Sequence, residues 1–467
     1  MRREHEKNLH VLRTSAEALP RVALCLGLLG AAGALERSHR RAAPTAVGSL
    51  SRPRAGTRGW LPVPGRCAGS GQVCVSDHTC GTSRCEDPSG AVGALGPYLH
   101  ARGSDVSILP SVAWNGGGYG VAWVGLEDEE VLDLWFARVD AEGRKVGSAV
   151  RLTRSPSVKL FPRLAWTSQG YGVVWTDIAE DDVSVQLQRV SPEGAAVGRP
   201  ERLSASGAMG LGGDVVWNGR ELGVSWYHVG TDGGLSLRLA RVRPSGGREG
   251  PDRTVSQGFL ATGLAGLAWN GDGYGLAWST FIPRDEKAQT LFAFAGASGE
   301  ARPSYRLGTT DGMNGAAAVA WGGRHFGVVW ENDVQVEDEE EPSSQLMHAG
   351  AGPSSVAVAP RAVTGRDALM LGPSLASAGE GYGVAFAHLN TRGGEVRFAR
   401  FNGQGVAAGP ARTVVGGPLA LMPSLSWSGR EFGLAYCELT RDRLVVAFRR
   451  LASDGQRVGG DVVLSSE

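Results

Sequence analysis

The chain has 467 residues, of which 42% are hydrophobic and 20% charged, a balance that is ordinary for a folded soluble protein. Basic and acidic residues are equal at 47 each, which argues against nucleic-acid binding, because that function normally needs a basic surplus. The 70 glycines are about twice the usual ~7% share, so turns and close backbone contacts must be frequent.

The first 34 residues have the features of an export signal. Arg2 and Arg3 precede an apolar run of 14 residues at 22–35, which is too short to span a bilayer and has the length of a signal-peptide core. The small-x-small sequence AGA at 32–34 supplies a cleavage site. We therefore predict a signal peptide at residues 1–34, Sec-type export to the cell envelope or the medium, and no transmembrane span.

A cysteine-rich segment at residues 67–90 follows a linker at 35–66 that we predict to be disordered. It contains "CAGSGQVCVSDHTCGTSRC", with four cysteines in 19 residues of Gly-, Ser- and Thr-rich chain. In an exported protein this pattern favours two disulfides, with three pairings open, over a zinc site, because structural zinc sites usually have shorter gaps between cysteines. Cys437 lies far from this segment, and we expect it to be a buried, unpaired thiol. The four clustered cysteines are Cys67, Cys74, Cys80 and Cys85.

One motif recurs seven times in the rest of the chain, and its copies are called repeats 1 to 7. The first copy, "VAWNGGGYGVAW" at Val112–Trp123, places two tryptophans around an Asn/Gly loop, and successive copies lie 50 to 56 residues apart. A glycine follows six residues after the first aromatic position in every copy. The first positions are Trp114, Trp166, Trp217, Trp269, Trp321, Ser377 and Trp427, and the glycines are Gly120, Gly172, Gly223, Gly275, Gly327, Gly383 and Gly433.

The motif alternates with period two, which predicts a β-hairpin. In repeat 1, Val112, Tyr119 and Trp123 point to a large aromatic face, whereas Ala113 and Gly120 point to a small face. Two further strands complete each repeat, and a β-helix is disfavoured because its coils are much shorter. Four strands repeated in this way are typical of a β-propeller, in which each aromatic face packs on the small face of the next blade. We predict an all-β fold at residues 105–467, a seven-bladed β-propeller of four-stranded antiparallel blades.

These W-x-G-x-x-Y-G-V-x-W repeats resemble those of secreted bacterial β-propeller repeat proteins with an N-terminal Cys-rich segment. The resemblance covers residues 105–467. It implies the propeller fold. It does not imply an activity, because propellers include enzymes, lectins and scaffolds.

The position two residues after the second aromatic of the motif is polar in six repeats. Repeat symmetry predicts one height and one radius for these side chains, where they could form a ligand or metal site if the strand lies near the axis. The alternative is that a strand end entering a loop tends to be polar without binding anything. The candidate ligand-binding residues are Asp177, His228, Asn332, His388 and Glu438, with Tyr227 as an aromatic neighbour.

The loop that follows is acidic in three repeats, and clustered carboxylates can hold Ca²⁺. No copy has the D-x-[DN]-x-[DN]-G spacing of a calcium loop, and a run of charge is more often a solvated loop. We therefore expect no cofactor, with Ca²⁺ as the alternative. The acidic residues are Glu127–Glu130 with Asp133, Asp177 with Glu180–Asp182, and Asp333 with Glu337–Glu341.

Five repeats share an arginine five residues before the glycine that closes their third strand. We expect this arginine to pair with a neighbouring carboxylate in the frame, rather than to form five binding sites. The five are Arg138, Arg189, Arg241, Arg400 and Arg450.

Catalytic signatures are missing from the sequence: it contains no G-x-S-x-G elbow, no H-E-x-x-H, no P-loop and no sialidase-type Asp box. A propeller active site is assembled from separate blades, so a hydrolase or lyase acting on an extracellular polymer stays open as the alternative. We predict a monomeric, non-catalytic extracellular or cell-surface binding or scaffold protein. Its partner would be a glycan or another surface protein, bound on the face that carries the loops after the second strands.

Overall fold

The computed structural model describes residues 106–127, 131–282, 287–309, 313–334, 343–366, 368–390, 393–441 and 443–465. The predicted signal peptide, linker and cysteine-rich segment lie outside these ranges, so the disulfides of Cys67, Cys74, Cys80 and Cys85 stay predictions. All regular structure in the described ranges is β-strand. These ranges accordingly contain no helix of the length and apolarity that a membrane crossing requires.

The chain forms 29 described strands, four to each repeat except repeat 4, whose first strand is interrupted. In chain order they are β1 (Val106–Trp114), β2 (Gly118–Glu127), β3 (Val131–Asp140), β4 (Lys145–Arg151), β5 (Val158–Thr167), β6 (Gly170–Ile178), β7 (Val183–Val190), β8 (Ala196–Arg202), β9 (Met209–Trp217), β10 (Leu222–Val229), β11 (Leu235–Val242), β12 (Arg253–Gln257), β13 (Leu260–Ala261), β14 (Gly266–Trp269), β15 (Gly273–Ile282), β16 (Lys287–Gly296), β17 (Tyr305–Thr309), β18 (Met313–Trp321), β19 (Phe326–Val334), β20 (Ser343–Ala351), β21 (Val356–Ala362), β22 (Leu369–Ala378), β23 (Gly381–Asn390), β24 (Gly393–Asn402), β25 (Arg412–Val415), β26 (Ala420–Trp427), β27 (Phe432–Thr440), β28 (Arg443–Leu451) and β29 (Arg457–Val463).

Within each repeat the strands pair antiparallel in chain order, except that in repeat 4 both pieces of the first strand, β13 and β14, pair with β15. Repeats 2 to 6 form five separate blades of this kind. Repeats 1 and 7 instead share one eight-stranded sheet, because Val106 at the start of β1 pairs in parallel with Leu444 of β28. The all-β propeller of four-stranded antiparallel units is confirmed. The prediction of seven separate blades is wrong, because this pairing merges the first and last units into one sheet.

The first strands of the repeats surround the propeller axis. Their backbones are linked by side chains of adjacent repeats: Leu164 N donates to Ser111 Oγ at 3.0 Å, and Val112 N donates to Ser424 Oγ at 3.0 Å. The fourth strands lie at the outside, where five of the seven residues of β8 are exposed. Since Val112 belongs to repeat 1 and Ser424 to repeat 7, the second of these bonds closes the ring.

Each motif glycine lies against a large side chain of the following repeat. A Cβ added to Gly120 would be 2.6 Å from the Tyr171 ring, and the last repeat closes on the first in the same way, since Gly433 lies against Tyr119. The predicted packing of an aromatic face on a small face is therefore confirmed. The other pairs are Gly172–Leu222, Gly223–Tyr274, Gly275–Phe326, Gly327–Tyr382 and Gly383–Phe432.

The two tryptophans of the motif have different environments. The second is fully buried in the frame, as in Trp278 and Trp330, which are both 0% exposed. The first is only partly buried, and it packs against the aromatic residue across the hairpin, as Trp269 does against Tyr274 with 4.7 Å between ring centroids. The first tryptophans therefore keep part of their surface available at the hairpin ends of the repeats.

We expect Gly275→Val to lower the free energy of unfolding by about 3 kcal/mol, because an added Cβ would already lie 2.6 Å from the Phe326 ring. The control is Gly460→Val in the outer strand β29, where no atom lies within 4 Å of an added Cβ. Urea denaturation of both variants measures the difference. A loss below about 0.5 kcal/mol for Gly275→Val would show that the contact between repeats is not limiting.

Cys437, on β27, is 1% exposed and has no disulfide partner in the part of the chain that the structure describes. Burial raises the pKa of its thiol to about 12. The expectation of a buried, unpaired thiol is confirmed, and the high pKa makes this cysteine a packing residue rather than a nucleophile.

Candidate functional site

The polar residues predicted two positions after the second aromatic of the motif do not form one group. They make separate hydrogen bonds. Asn332 is 1% exposed, and its Nδ2 donates to Asn314 Oδ1 of the same repeat at 3.1 Å. Asp177 is half-buried, and its Oδ2 accepts a hydrogen bond from Trp175 Nε1 at 3.1 Å. Both side chains thus bond within their own repeats, and a role for them in ligand binding stays a prediction.

The two candidate histidines differ in exposure. His388 is 3% exposed, and its Nδ1 lies 3.4 Å from Glu395 Oε1 on the neighbouring strand. His228 is half-buried, and burial together with the charge of Arg238 lowers its pKa. Of the two, only His228 has substantial surface to offer a ligand.

Tyr227 and Glu438 complete the predicted set. Tyr227 is buried, and its hydroxyl donates to the carbonyl oxygen of Gly263 in repeat 4 at 2.9 Å. It joins repeats 3 and 4 with a side chain that is 2% exposed, and its role beside a ligand stays a prediction. Glu438 is half-buried, and burial, with Asp461 nearby, raises its pKa.

Asp133, predicted to belong to an acidic loop, is a buried strand residue. Its Oδ1 lies 3.0 Å from Nζ of Lys159 in repeat 2, and its Oδ2 lies 2.5 Å from Nη2 of Arg151. Lys159 is 0% exposed, and its Nζ also donates to the carbonyl oxygen of Ser155 at 2.7 Å. Burial lowers the pKa of Lys159, and the Asp133 carboxylate opposes that shift. This network ties repeat 1 to repeat 2.

The calcium alternative concerns the other acidic residues. Asp182 Oδ1 accepts a hydrogen bond from Arg202 Nη2 at 2.9 Å, so this carboxylate neutralises an arginine. Across the described ranges, no group of three or more His, Cys, Asp or Glu side chains is arranged to hold a metal ion. Residues 128–130 and 337–341 lie outside those ranges, so Ca²⁺ binding by the full loops is not tested.

Two carboxyl groups have unusual environments at boundaries between repeats. Asp214 lies on the first strand of repeat 3, where burial raises its pKa and Arg163, with Nε 4.0 Å away, opposes the shift. Glu331 is 6% exposed, and burial, with Asp333 as a second cause, raises its pKa to about 8. Its Oε1 accepts a hydrogen bond from Gly372 N of repeat 6 at 2.5 Å. Glu331 is therefore a protonated packing contact between two repeats at neutral pH.

The third-strand arginine recurs at the same position in five repeats, and in two of them an ion pair explains it. Arg241 Nη1 lies 3.1 Å from Glu221 Oε1, and Arg450 Nη1 lies 2.9 Å from Glu431 Oε1. The frame-pairing interpretation is confirmed for these two arginines. Their carboxylates come from the same hairpin position in repeats 3 and 7.

A cleft of about 360 Å³ lies between repeats 3 and 4 and is called the repeat 3–4 cleft. The hairpin loop of repeat 3 supplies Arg220 and Glu221, its third strand supplies Arg241, and repeat 4 supplies Trp269 and the turn at 297–298. This volume is in the range of small-ligand sites. The cleft lies at the hairpin ends of the repeats, opposite to the loops that the sequence favoured.

Glu221 is the unusual residue of this cleft. It is 4% exposed, and its Oε1 accepts from Arg241, but its buried Oε2 has no hydrogen-bond partner among the described residues. Leaving such an oxygen unpaired is costly, and native structures seldom do so without water or a ligand. Arg241 balances the carboxylate charge, so the wall of the cleft contains a covered acceptor oxygen without an excess charge. A hydroxyl group is the matching donor.

Sequence reasoning missed this cleft because it assigned the hairpin loop to turn formation alone. The available signal was Glu221, which occupies a position that is glycine in four other repeats. A carboxylate in place of glycine departs from the motif at this turn, and repeat 7 has the same departure at Glu431. The four glycines are Gly118, Gly170, Gly273 and Gly381.

No family model matches the chain, and no curated protein matches it. Among solved structures, an ulvan lyase of a polysaccharide lyase family is 7% identical with a TM-score of 0.50, over 76% of this chain and 96% of that one. Hydrazine synthase from Kuenenia stuttgartiensis is 12% identical with a TM-score of 0.47, over 72% and 95%. The β-propeller domain of the trilobed protease from Pyrococcus furiosus is 8% identical with a TM-score of 0.45, over 78% and 96%. At these identities the likeness concerns the fold alone.

Proposed function

We propose that this propeller is a non-catalytic glycan-binding protein of the cell surface or extracellular space, and that the repeat 3–4 cleft receives a sugar unit. The unpartnered Oε2 of Glu221 supports this proposal most directly. A sugar hydroxyl that displaced the groups covering this oxygen would donate to it and satisfy it.

Trp269 provides the second element that a sugar site needs. Its indole is partly exposed, and Tyr274 fixes it by packing at 58° between ring planes. A sugar ring has apolar C–H faces and polar edges, so it can pack on the indole while its hydroxyls reach Glu221 and Arg220. An apolar wall with a few fixed polar groups is the usual composition of a small-ligand site.

The remaining parts of the proposal rest on the sequence. The signal-like residues 1–34 and the four clustered cysteines favour export and an oxidising environment. We propose a monomer that binds an extracellular glycan or a glycosylated protein surface without a cofactor, with Ca²⁺ in the acidic loops as the alternative.

A propeller hydrolase or lyase is the second candidate, and Glu331 is the observation that favours it. A carboxyl group with a pKa of about 8 keeps its proton at neutral pH, as a general acid must. Its 6% exposure and its bond to Gly372 N agree better with packing. Release of reducing ends or unsaturated sugar ends from a polysaccharide, abolished by Glu331→Gln, would establish the enzyme instead.

A glycan array probed with the purified protein, with calcium and with a chelator, tests the proposal. Binding to a neutral oligosaccharide without turnover would support it, and loss of binding in the chelator would favour the calcium alternative. Binding to no glycan under either condition would contradict it.

Glu221→Gln and Trp269→Ala are each expected to weaken binding of the best neutral oligosaccharide about tenfold, because each removes one anchor from the repeat 3–4 cleft. Isothermal titration calorimetry gives the dissociation constants. Glu431→Gln and Trp166→Ala are matched controls, since they change the corresponding positions in repeats 7 and 2 and should leave binding unchanged. Equal losses in the variants and their controls would place the ligand elsewhere.

A further inference from the structure

A second cleft, of about 250 Å³, lies between repeats 6 and 7 and is called the repeat 6–7 cleft. Arg400 lines it from the third strand of repeat 6, in the position that Arg241 has in repeat 3. Ser453 and Asp454 line it from the turn of repeat 7, and Arg412 contributes from the outer strand β25. The two clefts thus share the third-strand arginine and the turn of the next repeat, and the other lining residues come from different elements.

Arg400 differs from Arg241 and Arg450 in its partners. No acidic side chain among the described residues pairs with Arg400, and its Nη1 and Nη2 donate only long bonds of 3.3 and 3.2 Å to the carbonyl oxygen of Ala378. Its guanidinium carbon lies 5.8 Å from the centre of the Phe432 ring, which holds one face of the group. Several of its N–H groups therefore remain for water or a ligand.

The frame cannot supply the missing carboxylate. The position that carries Glu221 in repeat 3 and Glu431 in repeat 7 is Gly381 in repeat 6. A Cβ at Gly381 would collide with the carbonyl oxygen of Phe401, so no side chain fits there without moving the backbone. Arg400 therefore lacks the carboxylate that this hairpin position supplies to Arg241 and Arg450.

The charge of the repeat 6–7 cleft favours an anion. Arg400 is half-buried, and burial lowers its pKa without approaching neutrality, since arginine stays protonated in proteins. Arg412 is exposed and adds a second positive charge. Asp454 is the single acidic lining residue, and its Oδ1 already accepts a hydrogen bond from Gln456 N at 3.0 Å. Two guanidinium groups against one carboxylate leave a net positive site.

We propose that the repeat 6–7 cleft binds an oxyanion group, a carboxylate or a sulfate, of an acidic glycan, through Arg400 and Arg412. The planar guanidinium donates parallel hydrogen bonds to two oxygens of such a group, which suits carboxylate and sulfate equally. The choice of a glycan as carrier rests on the proposed function, whereas the oxyanion chemistry rests on the cleft itself.

The test measures binding of three soluble polymers, polygalacturonate, dextran sulfate and neutral dextran, to the full chain by affinity electrophoresis. Arg400→Gln is expected to weaken binding of the preferred charged polymer about tenfold, because a charge-assisted hydrogen bond is lost. If the substitution weakens binding of polygalacturonate, the bound group is a carboxylate. If it weakens binding of dextran sulfate, the bound group is a sulfate. Arg450→Gln, which changes the same position where Glu431 already neutralises the arginine, is the matched control and should bind as the wild type does.

The outcomes separate this inference from the proposed function. Unchanged binding of both charged polymers by Arg400→Gln, or no binding of either by the wild type, overturns the inference. Loss of charged-polymer binding in Arg400→Gln without any neutral-glycan binding by the wild type supports the repeat 6–7 cleft and contradicts the repeat 3–4 cleft. If Arg400→Gln does not fold, as judged by its thermal unfolding, Arg412→Gln at the exposed side of the cleft takes its place with the same expected loss.

Discussion

Acidification from pH 6.5 to about pH 3 is expected to cost the fold about 5 kcal/mol through His348 alone. His348 is 0% exposed, and burial, assisted by the charges of His325 and Arg361, lowers its pKa from 6.5 to about 3. Below pH 6.5 the imidazole of His348 is therefore protonated in the unfolded chain, whereas in the folded protein it stays neutral until the pH approaches 3. The stability contributed by neutral His348 is complete above pH 6.5 and is lost as the pH falls toward 3.

His348→Leu is the variant that isolates this effect. The imidazole packs against Phe401 and Tyr382, with ring centroids 4.9 and 5.7 Å away, and neither ring nitrogen has a hydrogen-bond partner among the described residues. Leucine removes the titration without breaking a hydrogen bond. Urea denaturation across this pH range should show a shallower acid loss in the variant, and identical pH slopes in the two proteins would contradict the assignment.

An opposite dependence is expected from Glu331, which should destabilise the fold by about 5 kcal/mol as the pH rises from 4.5 to about 8. Its folded-state pKa is raised, so the folded protein holds a proton that the unfolded chain releases above pH 4.5. The stability associated with the protonated carboxyl is complete below pH 4.5 and is lost as the pH rises through 8.

Glu331→Gln should remove this slope. Its amide can replace only part of the carboxyl group's hydrogen-bond acceptance, so the variant is expected to be less stable at low pH and to gain relative to the wild type as the pH rises. Glu142→Gln is the control, because the Glu142 side chain is 64% exposed and should leave the pH dependence unchanged. If the free energy of unfolding of Glu331→Gln depends on pH as steeply as that of the wild type, another group is responsible for the titration.

The repeated four-stranded units could be predicted from the sequence because they depend on residue patterns that are local and recur in every copy. Trp123 and Gly120 alternate along one hairpin, so their opposite faces followed from strand geometry, and the structure confirms them. The merging of two units into one sheet was not predictable, since it depends on a single parallel pair between Val106 and Leu444, which are distant in sequence.

The candidate site was less predictable, because burial at one repeat position depends on neighbours that the motif does not fix. His228 and His388 occupy equivalent positions, but the first is half-buried and the second is 3% exposed. The repeat 3–4 cleft depends on Glu221 of one repeat and Trp269 of the next, and no pattern within a single copy brings them together.

Gly433 of the last repeat meets Tyr119 in the same way as Gly120 meets Tyr171, so the boundary that closes the ring keeps the usual packing in addition to its strand pair Val106–Leu444. Each repeat packs only against the two repeats beside it. The sequence of a hairpin turn can therefore change at one boundary between repeats without affecting the other boundaries. Repeat 6 has Ser377 where the other copies have their first tryptophan, and its Gly383 still receives Phe432. Such a protein can acquire, lose or exchange recognition sites boundary by boundary, and the number of distinct ligand groups it can hold scales with its circumference.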